Sequence, residues 1–195
     1  IFFTHNHPDH MCDLIPFLFG SRYQLDARKK DLEIVAGPGF QVFFDKLMLA
    51  FKHWLKPTEY KLNIVEIDEG IYEFGKIKVQ AGKVKHIAMS RGYRFTNEKG
   101  KSVALSGDTD YCDGMIDLGR EADLMILECA WPDEEKTEGH LGPTLAGKLA
   151  AEANCKKLCL THFYPPCDLE NIRNTVQNIY KGELALARDL MQFEL

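Results

Sequence analysis

The chain has 195 residues, 45% of them hydrophobic and 27% charged, with a net charge of −5. This suits one globular domain with a sizeable core and argues against a general nucleic-acid binder. No apolar run approaches the roughly 20 residues of a membrane span, and six scattered cysteines without a Cys-x-x-Cys pair read as small buried hydrophobes of a reducing, cytoplasmic compartment.

In chain order, Ile1-Phe2-Phe3 reads as the tail of a buried strand. It runs into Thr4-His5-Asn6-His7-Pro8-Asp9-His10, which packs three imidazoles and a carboxylate into six residues. His5 and His7 sit at i and i+2, so on an extended chain both point to one face. Pro8 then turns the chain and lets Asp9 and His10 aim at a second point. Imidazole and carboxylate ligands suit zinc, manganese or iron and leave room for water.

Met11 to Phe19 predicts a short buried helix ending at Gly20, with Pro16 limiting its regularity. Ser21 to Lys30 is polar and predicts a surface loop. Leu32 to Val35 predicts a strand stopped by Gly37-Pro38-Gly39. Apolar residues at 40, 43, 44, 47, 48, 51, 54 and 55 predict an amphipathic helix from Phe40 to Trp54. Strands follow at Leu62 to Ile67, Tyr72 to Phe74 and Ile77 to Ala81, then His86. Gly92 to Thr96 and Ser102 to Leu105 predict a hairpin around Asn97-Glu98-Lys99-Gly100. Its second strand runs into Ser106-Gly107-Asp108-Thr109.

Further on, Cys112 to Arg120 predicts a short helix, and Asp123 to Leu127 an apolar strand. A polar loop over 131–142 carries His140. A helix over Pro143 to Ala153, a strand over Lys157 to Leu160 that leads to Thr161-His162-Phe163, a helix over Leu169 to Tyr180, and strand-like material to Leu195 complete the chain. Strands alternating with helices around a run of hairpins make this mixed α/β, and the absence of repeats or linkers predicts one domain over 1–195.

Possible ligands thus stand at four strand ends: the opening cluster, His86, Asp108 and His162. Strand ends in one sheet lie side by side, so such ligands converge. Eight Lys/Arg against one acid between Lys76 and Lys101 would favour an anionic substrate if they stood beside the metal. Seven acids face one base between Glu121 and Glu138. Ser90 and Arg91 are candidates for a phosphate contact; Asp110 and Asp113 read as caps or solvated groups, and His53, in the amphipathic helix, as a surface or core residue rather than a catalytic one. Trp131 and Phe163 adjoin the site.

The motifs THNHPDH, VKHIAMSRGYRF, LSGDT and LTHF resemble those of the metallo-β-lactamase-fold hydrolases, and most closely the ribonuclease Z-like phosphodiesterase branch. The resemblance implies an αββα sandwich whose opening strands precede residue 1 of this numbering, so that the domain is N-terminally incomplete. It implies two divalent ions, zinc first and manganese or iron as alternatives. His5, His7 and His86 would hold one ion, Asp9, His10 and His162 the other, and Asp108 would bridge them. Asp9 would orient water. His140, in Gly139-His140-Leu141, falls where that branch places a phosphate-contacting proton donor.

The segment matching the family's HEAT motif reads Leu127-Glu128-Cys129-Ala130-Trp131, without its histidine. Only 22 positions separate His86 from Asp108, too few for the long arm with which tRNA-processing members grip tRNA. Both features favour a small anionic phosphodiester over nucleic acid as partner, with no membrane and room for a homodimer. The alternative is a lactone or thioester hydrolase of the same architecture. Asp108 disfavours a β-lactamase, and His7 a flavin-partnered di-iron oxidoreductase.

Overall fold

The structure is a computed structural model that describes residues 1–23 and 27–195. Residues 24–26 of the predicted loop Ser21 to Lys30 lie outside the described residues. The chain clusters into two compact units, Ile1–Asp68 and Glu69–Leu195.

In the first unit, Pro8 opens helix α1, Pro8–Met11, at its first position, where a missing N–H costs nothing. Helix α2, Leu14–Gly20, follows. The single helix predicted from Met11 is therefore two, parted at Cys12–Asp13. Pro16 fits as the third residue of α2, whose N–H would have no partner within the helix.

Strand β1, Leu32–Ala36, pairs in parallel with β2, Leu62–Glu66, from Leu32↔Leu62 to Ala36↔Glu66. Phe2 adds only a bridge to Val35 in place of the predicted strand. Between the strands, α3 spans Phe40–Phe51 and a 3-10 turn Lys52–Leu55. The predicted α-helix to Trp54 stops early because Lys52 turns to φ 51°, which breaks the i→i−4 ladder. Phe40 and Phe44 are buried, and the Phe40 ring stacks on Phe3 at 5.4 Å.

The second unit is a seven-stranded sheet in the order β3-β4-β5-β6-β7-β8-β9. Its members are Gly70–Phe74, Ile77–Lys83, Arg91–Thr96, Ser102–Leu105, Leu124–Glu128, Lys157–Thr161 and Glu183–Leu186. Pairing is antiparallel from β3 to β6 and parallel from β6 to β9. Parallel strands need crossovers, here helices α4, Asp113–Gly119, α5, Pro143–Ala153, and α6, Leu169–Ile179. Ala146, Leu149 and Ala150 of α5 and Ile172 and Val176 of α6 share a core with Met125, Leu127 and Leu158 of the sheet.

The strand-like run predicted to Leu195 ends at Leu186. Leu190 takes φ 63° and is 95% exposed, so nothing buried rewards continued pairing. Cys129, Cys155 and Cys159 are buried as predicted; Cys112 and Cys167 are half-buried and Cys12 is exposed. Burial pushes the three buried thiols up. Among the described residues, no helix is long and apolar enough to cross a membrane.

Much of the predicted basic patch is already neutralised or otherwise used. Lys76 meets Glu98, Lys83 meets Glu69, and Lys101 meets Asp123. Arg94 donates to the Leu118 carbonyl. Asp123 also accepts from Lys156 at 2.9 Å and from the Ser102 N–H at 2.9 Å. The Lys156 and Ser102 bonds hold its carboxyl well below the usual range. A depressed carboxylate stabilises the fold above its unfolded pKa and loses that contribution as pH falls towards its folded pKa. Asp123→Asn should therefore cost about 1–2 kcal/mol at neutral pH and flatten the acid limb of a Tm-against-pH curve.

Candidate metal centre

Each unit gathers its own donors. In the first, His5 is fully buried, and its ring lies 4.7 Å from that of His7 and 4.2 Å from that of His10. His10 Nε2 is 3.3 Å from Asp9 Oδ2. His7 is extended (φ −64°, ψ 148°) as the residue capping α1. The strand-like approach and the proline-started helix thus fold the four predicted ligands into one patch.

In the second unit the donors stand past the carboxyl ends of alternate strands, β4, β6 and β8, where an α/β sheet presents its loops. Asp108 follows β6 and is 2% exposed. Gly107, at φ 61°, makes the turn that delivers it. His162 follows β8 in the left-handed region at φ 63°, a costly conformation for a non-glycine residue. His86 follows β4, where Lys85 bridges to Asp110.

The Asp108 carboxylate splits between two rings. Oδ1 is 3.6 Å from His162 Nε2, and Oδ2 is 3.9 Å from His86 Nε2. Both separations are long for hydrogen bonds. Two donors bound at 2.0–2.2 Å in tetrahedral geometry around one ion stand about 3.4 Å apart, so the spacing suits shared cations.

The His86 ring is set for that task. Its Nδ1 is 2.9 Å from the Gly139 carbonyl oxygen. That oxygen can only accept, so Nδ1 carries the proton and Nε2 presents its lone pair towards Asp108. The donor set therefore fits a divalent metal: neutral imidazole and carboxylate, with the tautomer of His86 fixed.

His140 faces the same place. One ring nitrogen of His140 and of His162 and one oxygen of Asp108 lie within 4.8 Å of one another. Its ring is 5.0 Å from that of His86 and stacks at 6.0 Å on that of His162. The far nitrogen is committed: Nδ1 lies 2.9 Å from Oε1 of buried Glu128. Glu128 is itself fixed by the Thr109 and Ala130 N–H groups, each at 3.0 Å. The Glu128 bond holds the His140 imidazolium above its ordinary range, against the opposing effect of burial. Tyr164 backs the pair, 5.0 Å from the His162 ring and 5.0 Å from Trp131.

Gly139 permits this packing. It has φ 84°, and an added Cβ would lie 2.9 Å from His86 Nδ1. Gly139→Ala should lower stability by about 1–2 kcal/mol through the left-handed backbone alone and displace the His86 ring. Thermal unfolding together with metal analysis of the purified variant checks both effects.

Some residues differ from their sequence reading. Asp110 is not a solvated cap: it is 7% exposed and accepts from Lys136, Gly139 and Tyr111. Burial opposes its charge, but these bonds outweigh it and hold the carboxyl below its usual range. Arg91 is turned inward, 2% exposed, and donates to the carbonyls of Ala88 and Ser90. Ser90 is also buried, so neither presents itself to a phosphate. His53 is exposed and packs on Trp54. The sequence motifs do not single out Glu128, the partner of His140. The signal was an acid ending the apolar run Leu124-Met125-Ile126-Leu127, where an unpartnered charge would be expensive.

This sheet, with histidines and a buried aspartate at its strand ends, defines a metallo-β-lactamase-fold protein of a metal-dependent hydrolase superfamily. The chain belongs to the beta-lactamase superfamily domain family, whose model matches residues 1–163. It is similar to the Mycobacterium tuberculosis protein Rv1339, 29% identical over 188 residues, which cover 93% of this chain and 68% of that one. It is also similar to the ribonuclease Z of Brevibacillus brevis, 28% identical over 219 residues, covering 85% of this chain and 68% of the enzyme. Among solved structures, the metallo-beta-lactamase fold protein YhfI from Bacillus subtilis superposes with a TM-score of 0.80 at 25% identity, covering 96% of this chain and 73% of that one.

Proposed function

We propose that the chain acts as one domain whose two donor sets serve one dinuclear centre that hydrolyses a phosphodiester. His5, His7 and His86 would hold one divalent ion, Asp9, His10 and His162 the other, with Asp108 between them. Zinc suits this all-nitrogen-and-oxygen set best. The observation that carries the reading is the split of the buried Asp108 carboxylate towards His86 and His162. The family match across residues 1–163 and the similarity to a ribonuclease Z support it.

When bound, two such ions make water nucleophilic near neutral pH and offset the negative charge that grows on phosphorus. The chain's own groups supply the rest. Asp9 orients the attacking water and accepts its proton. His140, whose proton-bearing form is favoured by the bond to Glu128, gives a proton to the departing oxygen. Asp110 and Gly139 keep the loop bearing His140 beside His86. The substrate is a small anionic diester, and the setting is the cytoplasm.

A chromogenic test separates the readings. Bis-(p-nitrophenyl) phosphate should be turned over by zinc-loaded protein and not by chelator-treated protein, with two zinc ions per chain by metal analysis. Lactones and thioesters assayed in parallel should be poor substrates. Turnover of the lactone or thioester alone would overturn the phosphodiester assignment while leaving the metal centre standing.

A further inference from the structure

We propose that Asp110 is a positioning residue: one buried carboxylate that, through Lys136 and the Gly139 amide, fixes both the ring of His86 and the reach of His140. The inference rests on the phosphodiesterase reading for the role of His140, and on geometry alone for the rest.

The contacts converge on this side chain. Oδ2 accepts from Lys136 Nζ at 2.9 Å and from the Gly139 N–H at 3.3 Å. Oδ1 accepts from the Tyr111 N–H at 2.8 Å. The Asp110 N–H in turn donates to the Lys85 carbonyl at 2.8 Å, and the Lys85 N–H donates to Thr109 Oγ1 at 3.1 Å. The segment entering His86 is thereby tied to one side of Asp110.

The loop 136–140 is tied to the other side. Lys136 also donates to the Thr137 carbonyl at 3.1 Å, so its ammonium closes that loop on itself as well as on Asp110. Gly139, held by its N–H, turns its carbonyl to His86 Nδ1 at 2.9 Å. The next residue is His140, whose ring reaches to 5.0 Å from that of His86.

A single clamp thus sits behind a ligand and a proton donor at once. An uncharged amide would not serve. Oδ2 takes two donors, so an asparagine NH2 there would oppose Lys136 and Gly139, and an asparagine oxygen there would put its NH2 against the Tyr111 N–H.

The test uses the full chain loaded with zinc, as Lys136→Met, Asp110→Asn and the charge-keeping Lys136→Arg. Lys136 lies in a loop with a partly exposed side chain, so Lys136→Met keeps the experiment decisive if Asp110→Asn folds poorly. The first readout is zinc affinity in competition with a chromophoric chelator, which reports on His86. The second is the ratio of kcat on a diester with an alkyl leaving group to kcat on a p-nitrophenyl diester. That ratio reports on His140, because only the poor leaving group requires a proton.

Removal of outer partners of ligands commonly costs 10–100-fold in metal affinity, so about 10-fold weaker zinc binding is expected for Lys136→Met. The alkyl-to-aryl ratio should fall by about 10-fold in the same protein, within the range of acid catalysis. Lys136→Arg should restore both. A Lys136→Met protein with parental values in either readout overturns the clamp, as does a loss of thermal stability with both readouts unmoved. His140→Ala serves as the control. If it leaves the ratio unchanged, the role given to His140 falls, and the zinc arm alone decides the clamp on His86.

Discussion

Asp108→Ala is expected to lower turnover by about 1,000-fold or more and to leave the protein with one zinc ion or none, a loss of the size seen when a metal centre no longer activates water. The side chain is 2% exposed and lies between two imidazoles at 3.6 and 3.9 Å. Without it no anion stands between those rings to offset a second cation. Among the described residues of this unit, Asp110 and Glu128 cannot take its place. Asp110 is engaged by Lys136, Gly139 and Tyr111, and Glu128 by His140 and two backbone amides. Asp108→Asn should fall almost as far, since it keeps the shape and loses the charge. Metal analysis with steady-state kinetics measures both variants. Chelator-treated parent and variants should unfold within a few degrees of one another, which separates loss of metal from loss of fold. A fully active, fully loaded Asp108→Ala protein would refute the centre.

His140→Ala should have the second largest effect, a drop in kcat of about 100–10,000-fold on a diester with an alkyl leaving group. On a p-nitrophenyl diester the drop should be far smaller, because that phenoxide departs without a proton. Zinc content should stay near parental, since Asp108, His86 and His162 keep their places. Glu128→Gln should reproduce part of the same pattern. The neutral amide no longer favours the proton-donating form of His140, and its NH2 would oppose either the Thr109 or the Ala130 N–H, which donate to different carboxylate oxygens. Equal losses on the two diesters would instead mean that His140 only shapes the pocket.

The candidate metal donors are legible because ligand chemistry is local in residue type. His-x-His-x-Asp-His after an apolar run, and single His or Asp residues after later strands, are visible without coordinates. The elements of the sheet were legible too, since Ile77 to Ala81 and Leu124 to Leu127 carry the alternating and continuous apolar patterns of two kinds of strand. Helix α5 was placed to the residue because Pro143 and the small, apolar run behind it mark both start and face.

Less was legible where tertiary contact decides. Nothing in Asp-Thr-Asp-Tyr tells that Asp108 faces imidazoles while Asp110 holds a lysine and two amides. Glu128 required knowledge that β7 is buried to its last residue. The break of α3 at Lys52 is a backbone event with no glycine or proline to announce it. The inward turn of Arg91 depends on the loop carbonyls of Ala88 and Ser90, which no periodicity encodes.

In the seven-stranded sheet, every strand is hydrogen-bonded to its immediate chain neighbour, from Gly70 to Leu186. Such a sheet can grow in the order in which a ribosome releases it, by short loops between the antiparallel strands and by helical crossovers between the parallel ones, at an entropic cost that rises only slowly with loop length. His86, Asp108 and His140 would be in place while His162 still waits for β8. In the proposed centre, the ion that His162 helps to hold would therefore be captured last, once β8 has paired.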